Sequence, residues 1–226
     1  YDIFAKTKIK AHSIMLCEKP LADALGMDLD VTEPTGVMVV DIGADTTEIS
    51  VISLGGLVLS TLLPYGGNRL DESIVTFMKR KFNLVIGKKT AKNLKEKIGS
   101  AMNLSSDTMK IVGRDVVSGL PIEMEIDAPV IYEGIRDDLN GIATAVKMML
   151  EKVPPELAKD IVHSGIYLTG GSSRLKDLSQ FFEEGTNIRV NVAEQGDVTV
   201  ATGLNKILSD SKFSRFGYSM KSRIFS

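Results

Sequence analysis

The chain has 226 residues, 43% of them hydrophobic, enough apolar material to fill a core and build one or two globular units. A formal net charge of -2 with both signs interspersed argues against nucleic acid as a partner. The single cysteine, Cys17, excludes an internal disulfide framework and a cysteine-cluster metal site, and no apolar run approaches the roughly 18 residues of a membrane-spanning helix.

The chain opens at Tyr1, inside what reads as an ongoing element and without a signal-peptide pattern, so an upstream segment is expected to precede it. Cys17 lies in an apolar, strand-like run and is expected to be buried. Three short β-branched runs follow: "VMVVDI" at 37–42, "TEISVISL" at 47–54 and "LVLSTLL" at 57–63, the last two joined at Gly55-Gly56, a hairpin signal. After "PYGG", Asn68 is placed to cap a helix whose apolar positions Leu70, Ile74, Phe77, Met78 and Phe82 repeat at helical spacing. A short helix is expected from about Thr90 to Ser100. Between 101 and 128 the texture changes to "TMKIVG" and "IEMEID" around an "SGLP" turn, a small insert of short strands. Pro129 opens a long amphipathic helix with Ile135, Leu139, Ile142, Val146, Met149 and Leu150 on one face, stopped at Pro154-Pro155. A strand "GIYLTGG", a helix from about Ser173, a strand near 188–193 and a helix from about 198 complete a layered α/β pattern.

Two glycine turns stand out. "DIGADTTE", Asp41 to Glu48, lies between two strands, where Gly43 lets backbone N–H groups face an anion and Thr46 and Thr47 add hydroxyl donors. Asp41 at the strand end could hold a metal-bound water. An ordinary hairpin with a polar tip would look the same. "YLTGGSSRL", Tyr167 to Leu175, runs a strand into Gly170-Gly171 and toward a helix whose N-terminal amides favour negative charge; a plain serine-capped turn is the alternative. Together, with the charged helix bearing Lys92 and Lys95 between them, the two turns are more specific than either alone.

The runs "MVVDIGADTTEISVISLGG", "EKPLADALG", "GKKTAKNLKEKIGSA", "PPELAKDIVHSGIYLTGGSSRL" and "VATGLNKIL" give the chain a resemblance to the MreB family of bacterial actin homologues, which determine rod shape. It spans roughly residues 8–208 in the expected order. It implies the actin-like (ribonuclease H-like) ATPase fold, with ATP and magnesium between two lobes, and protofilaments of self or other MreB-like subunits beneath the cytoplasmic membrane. It also implies partners in cell-wall synthesis. The organisation it implies is a remnant of the first lobe at 1–36 and a second-lobe core at 37–82 and 129–208. A small inserted subdomain then covers 83–128 and a tail 209–226.

Carried over position by position, the resemblance places a phosphate loop on Gly43, Ala44, Asp45 and Thr46, and an adenosine-binding helix on Lys92, Asn93, Leu94 and Lys95. The turn beside the nucleotide falls on Gly170, Gly171, Ser172 and Ser173. Asp41 would reach magnesium through water, and Thr46 is a catalytic position. The chain departs from this pattern in several places. Ala44 and Asp45 stand where the family has glycines, Lys19 replaces the glutamate that positions the attacking water, and Lys92 replaces a nucleotide-contacting glutamate. The family's segment with the first phosphate loop has no counterpart in this sequence.

Like charges about 4 Å apart repel by roughly 4 kcal/mol at the dielectric usual near protein surfaces, so Asp45 beside terminal phosphates would weaken binding. Lys19 could offset it by an ion pair with Asp45, or point to solvent. An ammonium offers only donors, so Lys19 cannot orient an attacking water, and hydrolysis is expected at or below detection. The chain therefore reads as a filament subunit with hydrolysis weak or lost. The alternatives are a working ATPase represented by a fragment and a non-polymerising regulatory relative of the wider actin and chaperone superfamily. The tail "KFSRFGYSMKSRIF", 212–225, interleaves basic and aromatic residues in a way that suits an anionic membrane surface or packing on its own domain. Met148 and Met149 read as core, and His12 and His163 have no second ligand at useful spacing.

Overall fold

The structure, a computed structural model, describes residues 13–219. Its centre is strand β1, Val37–Ile42, buried on both faces. Alternation along this strand divides the core in two. Met38, Val40 and Ile42 face the larger cluster, with Ile49 and Val51 of β2 (Thr47–Ser53) beside them. Val37 and Val39 face a second cluster with Leu21, Leu25, Ile207 and Phe216. The nearly unbroken apolar run of β1 is what a strand covered on both sides requires.

Five strands form the main sheet in the order β3-β2-β1-β7-β8, with β3 at Gly56–Leu63, β7 at Ile166–Thr169 and β8 at Val190–Val192. β1 pairs antiparallel with β2 (Val40 with Ile49) and parallel with β7 (Asp41 with Thr169). The β2–β3 turn lies one residue earlier than the Gly55-Gly56 signal, at Leu54 (φ 52°) and Gly55 (φ 73°). Positive φ at both central residues gives the twist a two-residue hairpin favours, even though one of them is a leucine.

A separate three-stranded sheet, β4-β5-β6, is built from Leu84–Val85, Thr108–Asp115 and Pro121–Asp127. Of the helices, α1 spans Lys19–Gly26, α2 Gly67–Phe82, α3 Lys88–Lys97 and α4 Ala128–Lys152. The α4 helix is capped by Asp127, whose side chain accepts from the Val130 amide, and it buries Ile131, Ile135, Leu139, Ile142, Val146 and Met149. Met148 falls off that face and is 51% exposed, so the expectation that it joins the core is corrected.

Proline stops α4 as expected, but the chain then re-enters a helix, α5 at Pro155–Ser164, with Pro155 in its first turn where a missing N–H costs nothing. The helix expected from Ser173 is instead a four-residue 3-10 turn, Gly171–Arg174, followed by α6 at Leu178–Thr186. Helix α7, Thr199–Ser209, lies against α1. Gly26 and Gly203 make that crossing close: a Cβ on Gly203 would stand 1.8 Å from the Ala22 carbonyl oxygen, and one on Gly26 2.1 Å from that of Thr199. Cys17 is half-buried, and it precedes α1 instead of lying in a strand. His163 is exposed, while His12 lies outside the described residues.

Candidate functional site

The two glycine turns leave the carboxyl ends of β1 and β7, neighbouring parallel strands, which is where open α/β sheets place ligands. In the first, the Gly43 amide donates to the Thr46 carbonyl at 2.9 Å and closes the turn. Its carbonyls are tied to the start of α2: Gly67 N–H donates to Gly43 O at 3.0 Å and Asn68 N–H to Ala44 O at 2.7 Å. Asn68 therefore sits in the first turn of α2, with Gly66 as the cap residue, which corrects its expected capping role.

The second turn needs glycine at Gly170, where φ is +88° and a Cβ would fall 2.2 Å from Asp41 Oδ1. Ser173 Oγ donates back to the Gly170 carbonyl at 2.7 Å. Ser172 Oγ donates across to the Gly43 carbonyl at 2.9 Å, a direct link between the two turns.

Between the turns and α3 opens a cleft of about 640 Å³. Of the residues named from sequence, Gly43, Ala44, Lys92, Lys95, Gly171 and Ser172 line it. Leu94 does not: it is fully buried in the core, one position round the helix from Lys95, and its place among ligand-contacting residues is corrected. Asp45, Thr46, Asn93, Gly170 and Ser173 also lie off the cleft wall. Sequence reasoning missed Asp71, Arg174, Lys176 and Asp197, which do line it. Arg174 and Lys176 follow "GGSS" so closely that the motif itself could have flagged them.

Charge in the cleft is largely paired. Lys95 Nζ, almost buried, lies 2.7 Å from Asp71 Oδ1 and donates to the Gly67 carbonyl at 2.8 Å, so this ammonium fastens α3 to the start of α2. Lys92 meets Glu96 at 3.7 Å, Arg174 meets Asp197 at 2.6 Å, and Lys176 meets Asp107 at 3.1 Å. The cleft wall thus offers cations whose partners an incoming anion can displace, most easily at the exposed Lys92 and Lys176.

The expected ion pair between Lys19 and Asp45 is absent. Asp45 accepts instead from Asn68 Nδ2, a neutral amide, at 2.7 Å. Lys19 does not point to solvent either. It reaches Asp41, and its Nζ stands 3.2 Å from both Asp23 Oδ2 and Glu48 Oε2. Burial pulls the Lys19 ammonium toward neutrality, but the hydrogen bond to Asp41 and the charges of Asp23, Asp41 and Glu48 outweigh it and raise its pKa above the ordinary lysine value. Burial and then the Asp41 charge push the Asp23 carboxyl up to about 7, against the opposing pull of Lys19. The magnesium that the resemblance assigns to Asp41 does not fit this arrangement, because the carboxylate that would hold its water is already bound to an ammonium.

A sequence model of the MreB/Mbl protein family matches residues 4–215. The chain is 42% identical to the cell shape-determining protein MreB of Escherichia coli over 199 residues, 88% of this chain and 57% of that protein. This chain belongs to the MreB/Mbl family. It is also 36% identical to the cell shape-determining protein Mbl of Bacillus subtilis over 207 residues, 91% of this chain and 62% of that protein. It spans about three-fifths of the length of these curated relatives.

Two crystal structures of MreB5 of Spiroplasma citri share the fold of this MreB/Mbl chain at 31% identity. The one bound to ADP has a TM-score of 0.88 and covers 95% of this chain and 65% of that one; the one bound to AMPPNP has a TM-score of 0.83 and covers 88% and 59%. The fold is therefore the actin-like α/β fold that the sequence implied.

Proposed function

We propose that this MreB/Mbl chain is the larger part of an actin-like filament subunit, one that takes part in cell-shape determination and in organising wall synthesis, and that holds a nucleotide without hydrolysing it efficiently. The observation that carries the reading is the cleft between the Gly43 and Gly171 turns and α3, in a chain whose structural neighbours were solved bound to AMPPNP and ADP. In this reading Gly43, Ala44, Gly171 and Ser172 approach the phosphates, while Lys92 and Lys95 flank the rest of the nucleotide. A first lobe takes the stretch 1–36, of which 1–12 lie outside the described residues; 37–82 and 129–208 form a second, and 83–128, with their own small sheet, an inserted subdomain.

Weak hydrolysis follows from Lys19. A water can be oriented for attack only by a group that accepts a hydrogen bond, and the Lys19 ammonium has donors alone, already directed at Asp23, Asp41 and Glu48. Thr46, exposed on the turn, supplies a hydroxyl but no base. Assembly with copies of itself or with other MreB-like subunits fits the family, as does work at the inner face of the membrane beside wall-synthesis proteins. Labelled ADP titrated into the chain, alone and fused to a relative's upstream segment, should bind at micromolar concentration. Phosphate release from ATP by the fused protein should stay at background while filaments form in electron micrographs; steady turnover sinks the reading.

A further inference from the structure

The three carboxylates around Lys19 come from three elements: Asp23 from α1, Asp41 from the end of β1 and Glu48 from β2. Asp23 and Asp41 are 1% and 7% exposed, and a carboxylate so buried is ionised only with a positive charge close by. In oxygen-lined sites that charge is commonly a divalent ion. Here the three N–H donors of one ammonium meet three carboxylates. Lys19 also lies on α1, which the glycine crossing presses onto α7, so the ammonium is delivered by a fixed helix and not by a loop.

We propose that Lys19 is a built-in cation, seated among the carboxylates that would otherwise attract a divalent ion, so that this site does not recruit magnesium. In the nucleotide-holding subunit proposed above, on which this consequence rests, the nucleotide enters the cleft without needing a metal at Asp41. The ammonium supplies the positive field once, permanently, and independently of cellular magnesium.

The test is a manganese titration of the chain without nucleotide, read by loss of the free-ion electron paramagnetic resonance signal. The unaltered protein and Lys19→Arg should bind no more ion than Asp41→Asn does, and Lys19→Gln should bind at least about tenfold more tightly than these, since removing the ammonium leaves the acid cluster without its positive charge. That gain should vanish when Asp41→Asn is added. If Lys19→Gln does not fold, as judged by circular dichroism, Lys19→Gln with Asp23→Asn relieves the repulsion and keeps two carboxylates for the same measurement. Binding by the unaltered protein that Asp41→Asn abolishes overturns the proposal, and so does absence of binding in every variant. A parallel titration of labelled ADP, with magnesium and with chelator, should give the same affinity in the unaltered protein; a loss of about tenfold on chelation also overturns it. If ADP binds under neither condition, the nucleotide reading fails, and the manganese result still decides the role of Lys19.

Discussion

At the scale of single residues, Asp23 carries a pH signature. Its folded-state pKa, near 7, lies above that of the unfolded chain, because burial and the Asp41 charge disfavour its anion more than Lys19 favours it. The folded protein then keeps a proton that the unfolded chain gives up. Between about pH 4 and pH 7 stability falls as pH rises, and above that window the loss is complete. Asp23→Asn keeps the shape and removes the titration, so urea melts from pH 4 to 8 should show the unaltered protein losing a few kcal/mol relative to this variant across the window. The groups facing Asp23 are Lys19 on its own helix, Asp41 on β1 and Glu48 on β2. That Lys19 matters was legible from its place before "PLADALG". Its partners were not, because Asp45 and Asp41 are both acids in one short motif, and only the direction of α1 selects Asp41. Asp45 is taken by Asn68, a contact that depends on how α2 starts.

At the scale of elements, two joints hold the site. Ser172 Oγ spans the gap between the glycine turns, and Ser172→Ala should cost about 1 kcal/mol in urea melts and weaken ADP binding several-fold, because the Gly43 turn loses its brace. The α1–α7 crossing is tighter. Gly203→Ala forces the helices apart and should cost roughly 2 kcal/mol or more, read as a lower denaturant midpoint with an unchanged slope. Strands and long helices were readable from sequence because β1 and α4 carry undiluted periodicity. Helix α5 was hidden because Pro154-Pro155 signals an ending and a beginning equally well. Helix α1, eight residues long, has too few turns for its period to stand out. The cleft's far wall was missed in part because Asp71 and Asp197 belong to neither of the two glycine turns and meet the site only through folding.

At the scale of the whole molecule, the described part of the tail is a structural element. Phe216 is 7% exposed in the second core, with Phe213 packed beside it, and a Cβ on Gly55 would stand 2.8 Å from the Phe216 ring. Tyr218 donates to Glu18 at 3.3 Å. Insertion of Phe216 into a lipid surface would pull it from this core, so that residue of the membrane-contact expectation is corrected; Lys221, Arg223, Ile224 and Phe225 lie outside the described residues. Phe216→Ala should lower stability by roughly 3 kcal/mol in urea melts while leaving liposome sedimentation unchanged.

Leu16 and Tyr218 exchange backbone hydrogen bonds at 2.8 and 2.9 Å, so the strand-like run before α1 is fastened to the segment that follows α7. Residues inserted at the exposed Val117–Gly119 hairpin tip would leave that bridge and both cores with the same neighbours. A fluorophore carried there would sit on the small sheet, far along the chain from the two glycine turns, and would report on packing between copies of the chain.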